Sequence, residues 1–75
     1  ANASHNNLCQ APSGKPVMII GFGTISPAVQ QHLQAYGILP GRQIQVLTHN
    51  PVTIVLIEQT ELAFERAIAQ QIWIN

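Results

Sequence analysis

Aspartate is absent from this chain of 75 residues, and charge of either sign is scarce: three bases (Lys15, Arg42, Arg66) balance three glutamates (Glu58, Glu61, Glu65), 8% of the sequence together. A typical soluble domain carries about 25% charged residues. With no cluster of Lys and Arg there is no basic stripe to displace counterions from phosphates, which argues against nucleic acid as a partner. The glutamates have no acid–base partner, and no Ser/His/Asp or Cys/His set stands out, so an enzyme is not predicted. Cys9 is the single cysteine. It excludes an intramolecular disulfide and a thiolate metal cluster, and it favours a reducing compartment. The longest apolar runs, Val17-Met18-Ile19-Ile20 and Ile54-Val55-Leu56-Ile57, are four residues each, against about 20 for a spanning helix. Membrane insertion is therefore not predicted, and nothing at the start of the chain looks like a secretory signal.

The missing charge is replaced by Gln, Asn, Thr and Ser. Such a surface repels other protein weakly and favours association with a partner or with itself. Residues 1–14 are dominated by these polar types, with too little apolar content to offset ordering entropy. They read as a flexible lead-in with Leu8 and Cys9 as its only anchors, ahead of a single domain over 15–75.

What the chain does contain is a helix with both ends punctuated. Ser26 is suited to cap free backbone N–H groups, Pro27 to occupy the first helical position, and Gly37 to adopt the left-handed conformation after the last turn. Val29, Leu33 and Tyr36 recur at i, i+4 and i+7, widened by Ala28 and Ala35, while Gln30, Gln31 and Gln34 take the solvent side. Before the helix, Val17–Ile20 predicts a strand bent by Gly21-Phe22-Gly23. After the Pro40-Gly41 turn, Ile44 and Val46 alternate with Gln43, Gln45 and Leu47 as a half-buried strand. His49-Asn50-Pro51 predicts a turn. Val52 to Ile57 is apolar on both faces, which calls for cover from the helix or from another subunit. A reversal near Gln59-Thr60 leads to Leu62–Phe64, a helical turn or two over 65–71, and a last strand Ile72–Ile74. The class is mainly β: five short strands, one α-helix inserted after the first, curled into a small barrel.

Candidate chemistry is thin. Gly21 and Gly23 form a lone GxG with Ser26 where a dinucleotide fingerprint has its third glycine, and Gly14-Lys15-Pro16 lacks the rest of a phosphate loop. His5, Cys9, His32 and His49 are ligand types, but His5 and Cys9 share a spacing only within the lead-in, and His32 and His49 have no paired ligand. No metal and no cofactor is predicted. Phe64 and Trp73 are expected to fill the interior. Ile38 and Leu39 sit on a rigid corner between Gly37 and Pro40-Gly41, where both cannot easily point inward, so one of them is expected to join a docking patch. The candidate partner-binding residues are Tyr36, Ile38, Leu39, Pro40, Gly41 and Arg42.

With these residues in view the chain resembles the FeoA-type proteins from about Val17 to Ile74. Gly21-Phe22, then Ile25-Ser26-Pro27-Ala28, then Leu33 to Gly41 is similar to that family's "GF…ISPA…L…LG(M/I)LPG" pattern. Leu62-Ala63-Phe64, Ala69 and Ile72-Trp73-Ile74 look like its closing segment, with Glu65 where the family often has Arg. The resemblance implies an SH3-like barrel with an inserted helix and a cytoplasmic, non-enzymatic accessory role in bacterial ferrous iron uptake, with a FeoB-type membrane transporter as partner. The same barrel resembles the C-terminal module of iron-dependent repressors, so a metal- or ligand-sensing regulatory domain is the alternative. A homo-oligomer in which strand Val52–Ile57 pairs across subunits is a further expectation.

Overall fold

The computed structural model describes residues 6–75. Strands β1 (Asn6–Asn7), β2 (Pro16–Phe22), β3 (Gln43–Thr48), β4 (Thr53–Ile57), β5 (Thr60–Phe64) and β6 (Ile72–Ile74) form one antiparallel sheet in the order β1-β6-β2-β3-β4-β5. Helix α1 (Pro27–Ala35) follows β2, and the four-residue α2 (Arg66–Ala69) follows β5. The long strand β2 serves both halves: Pro16–Met18 pair with β3, and Ile19–Phe22 pair with β6. Register shifts between Ile19 and Gly21 and between Val46 and Thr48 bend the strands where the sheet must curl.

Alternation decides the core. Ile44 and Val46 of β3, Thr53, Val55 and Ile57 of β4, and Ile72 and Ile74 of β6 face inward and are buried with Ile19, Leu33 and Phe64. Ile54 and Leu56, the outer row of β4, are half-buried. The mainly-β barrel with its inserted helix is as expected, but the sheet has six strands and curls without closing into a hydrogen-bonded ring. β4 lies between β3 and β5 with both its edges bonded. Pairing across subunits through Val52–Ile57 therefore has no free strand edge to use.

The sixth strand comes from the expected lead-in. Asn7 accepts a hydrogen bond from the Cys9 N–H on its side chain (2.9 Å) and donates its own N–H to Gln10 Oε1 (2.8 Å), closing a 3₁₀ turn over Leu8–Gln10. Leu8 is 0% exposed, and Ala11 is also buried. The flexible lead-in over 1–14 is thus corrected from Asn6 onward; residues 1–5, including His5, lie outside the described residues. The Asn and Gln whose abundance read as disorder are the residues that cap this turn.

α1 is built as its termini dictate. Ser26 Oγ accepts from the Val29 N–H at 3.2 Å, and Pro27 opens the helix. At its exit Gly37 has φ +89°, the Gly37 N–H donates to Gln34 O and the Ile38 N–H to Leu33 O, both at 3.0 Å. This is a Schellman ending, which brings the residue after the glycine against the helix's last buried turn. Ile38 is accordingly 0% exposed, in the same core as Leu33.

Trp73 departs from expectation. Ile72 and Ile74 take the inner side of β6, leaving Trp73 half-buried on the other side. Its ring lies over the glycine bend: a Cβ on Gly23 would stand 2.5 Å from Trp73 Cζ2, and one on Gly21 would be 3.5 Å from Cδ1. The GxG at 21–23 is therefore a floor for an indole. Phe64 is buried, as expected. No described helix is long and apolar enough to cross a membrane.

Candidate functional site

The corner after α1 is clamped onto the sheet. The Gly41 N–H donates to Ile19 O at 2.7 Å, the Ile19 N–H donates to Arg42 O at 2.9 Å, and the Arg42 N–H closes the turn on Leu39 O at 3.1 Å. Gly41 holds φ +90°, a left-handed geometry that side-chain-bearing residues adopt only with strain. Of the six predicted partner-binding residues, Ile38 is inside the core and unavailable, corrected by the Schellman packing above. Tyr36, Pro40, Gly41 and Arg42 are exposed, and Leu39 is half-buried. Arg42 Nη1 stands 3.9 Å from Glu58 Oε2 with both side chains well exposed, a pair worth at most about 1 kcal/mol.

Beside this corner lie two residues that were not predicted. Met18 and Ile20 flank Ile19 on β2 and are exposed, so the apolar surface continues from the corner along the strand. Their signal was present in Val17–Ile20: in an unbroken apolar run on a strand with one buried face, alternate members face out.

A cleft of about 290 Å³ opens on another part of the molecule, lined by Cys9, His49, Thr53 and Arg66 among others. His49 Nε2 is 2.7 Å from Ala11 O, and Nδ1 is 3.2 Å from Thr53 Oγ1. A carbonyl only accepts, so assigning the proton to Nε2 satisfies the network, with Nδ1 accepting from the buried threonine hydroxyl. The Cys9 thiol points at Arg66 O, 3.9 Å away. Both imidazole nitrogens are thus occupied in tying the first segment to the β3–β4 loop. His32 stands apart on α1, edge-on to Tyr36 with ring centroids 5.3 Å apart. Among the described residues no three of His, Cys, Asp and Glu converge.

A second cleft, about 320 Å³ and largely apolar, runs between α1 (Val29, Leu33, Tyr36) and the β5–α2 segment (Leu62, Phe64, Ile68). It joins elements far apart in sequence, and no local pattern announces it.

The model of the FeoA domain family matches residues 6–75. No curated protein matches the chain. Among solved structures, the FeoA protein of Chlorobium tepidum superposes with a TM-score of 0.84 at 22% identity, over 93% of this chain and 69% of that one. The zinc-complexed FeoA of Stenotrophomonas maltophilia, described as a prokaryotic SH3 domain protein, gives 0.79 at 16% identity over 93% and 89%. A manganese-dependent transcriptional repressor gives 0.80 at 17% identity, over 99% of this chain but 42% of that one. At these identities the likenesses establish the fold, which is SH3-like.

Proposed function

This chain belongs to the FeoA domain family, and we propose that it serves ferrous iron transport as a non-catalytic accessory protein that binds the cytoplasmic part of a FeoB-type membrane transporter. The observation that carries this reading is the family match over residues 6–75, the whole described fold. The cytoplasm is the compartment it implies, consistent with a single free thiol at Cys9.

The contact surface of this reading is Leu39 with Pro40, Gly41, Arg42 and Tyr36, extended along Met18 and Ile20. The clamp between Gly41, Arg42 and Ile19 holds the corner rigid before any partner arrives, so little ordering entropy opposes docking. Anchors of this kind, seated in a partner's pocket, typically contribute about 2 kcal/mol or more. The sensor alternative has less support: His49 is committed at both nitrogens, and His32 packs against Tyr36.

Calorimetric titration against the purified cytoplasmic domain of the cognate transporter tests the reading. Saturable binding by the natural chain is expected, weakened at least about tenfold by Leu39→Glu. Leu39 is only half-buried, so unfolding stability should shift by no more than about 1 kcal/mol. Absence of binding by the natural chain would overturn the proposal, and unchanged binding by the variant would remove the corner from it.

A further inference from the structure

The apolar cleft runs along an unused sheet edge. β5 pairs with β4 from Thr53↔Phe64 to Ile57↔Thr60 without a bulge, closing on a two-residue reversal at Glu58-Gln59. In such a hairpin the residues flanking the reversal exchange both ladder hydrogen bonds, and bonded pairs then alternate. Thr60, Leu62 and Phe64 therefore spend their backbone groups on β4, while the N–H and C=O of Glu61 and Ala63 face away from it. Among the described residues no strand flanks that side. These two residues thus offer two donors and two acceptors, spaced as one more antiparallel strand requires.

Beside the edge, Val29, Leu33 and Tyr36 form the far wall, and Tyr36 is steadied by His32. Of the nearby formal charges, Glu65 lines the cleft and Glu61 stands exposed on the outer face of β5, where it would face side chains of an added strand; no Lys or Arg lines the cleft. A second copy pairing edge to edge about Leu62 would gather Glu61 and Glu65 of both chains with no base among them, which disfavours it. A partner with alternating apolar and basic residues meets the edge, the wall and these glutamates together.

We propose that the cleft between α1 and β5 is a peptide-binding site, receiving an extended basic–apolar segment of another protein as an added strand on Glu61 and Ala63. It shares only Tyr36 with the surface assigned to the Leu39 corner, and its edge residues Glu61 and Ala63 lie outside that surface, so either reading stands if the other fails.

The test uses the ¹⁵N-labelled chain and a capped nine-residue peptide of alternating lysine and valine, at low salt. Saturable shifts are expected at Glu61, Ala63 and Val29–Tyr36, with slowed hydrogen exchange of the Glu61 and Ala63 amides. The matching glutamate–valine peptide should bind about tenfold more weakly, the scale of two surface ion pairs gained or lost. Ala63→Pro removes an edge donor without touching the β4 ladder and should abolish binding in a chain whose spectrum stays dispersed. Should that variant misfold, the double change Glu61→Lys and Glu65→Lys decides, since it must invert the preference between the two peptides. An unchanged preference, shifts centred on Leu39–Arg42, or no saturation at millimolar peptide would overturn the site. So would concentration-dependent shifts of Glu61 and Ala63 without peptide, which would make a second copy the occupant.

Discussion

Two clefts of this domain have nearly the same volume, about 290 and 320 Å³, but differ in what they leave unspent. In the polar one, the His49 nitrogens, the Thr53 hydroxyl and the Ala11 carbonyl are consumed by one another. In the apolar one, backbone groups on Glu61 and Ala63 face outward beside half-buried side chains. Polarity alone therefore misleads as a guide to function. The cleft rich in Cys, His and Arg is a fastening, and the cleft with little chemistry retains binding capacity.

Breaking the fastening should have the largest effect. Leu8→Ala empties a fully buried site in the same 3₁₀ turn as Cys9 and is expected to cost about 2–5 kcal/mol in urea unfolding, much of a small domain's stability. Next comes His49→Ala, which strands the Ala11 carbonyl and the Thr53 hydroxyl and should cost about 1–3 kcal/mol. Adding Thr53→Val sharpens the comparison, because it removes an orphaned group; the pair should cost less than the sum of the singles. On the apolar side, Val29→Ser is expected to change stability by under about 1 kcal/mol in the same assay, since Val29 is only half-buried. The smallest effect belongs to Glu58→Gly. Glu58 carries φ +57° in the β4–β5 reversal, and its ion pair with Arg42 is a long contact. Relief of that backbone strain should raise thermal stability by roughly 0.5 kcal/mol.

Much of the architecture was legible because local signals agreed with one another. Ser26, Pro27 and Gly37 each occupy the cap position their chemistry suits, and the alternation of Ile44, Val46, Val55 and Ile57 sets the inner face. The misreadings share a cause in contacts that composition does not encode. Asn7 and Gln10 look like disorder until they are seen capping each other across Leu8. Ile38 and Leu39 look equivalent until the Schellman turn sends the first inward. Trp73 reads as core filler until β6 pairs with β2 and lays the indole over Gly21 and Gly23. Of the candidate site, the corner was visible as a Pro-Gly turn after a capped helix. The cleft was not, because its walls meet only when residues around 30 and 63 are brought together by folding.

The pairing of β1 with β6 has an engineering consequence. Asn6 stands opposite Ile74 and Asn7 opposite Trp73, so the two ends of the described fold are roughly 5 Å apart, the spacing of facing residues in an antiparallel ladder. A short glycine linker across that gap, with new termini opened at Glu58-Gln59, would give a circular permutant that keeps every strand pairing. By the same geometry, the whole domain forms a cassette that a host protein's surface loop is able to accept at a single point.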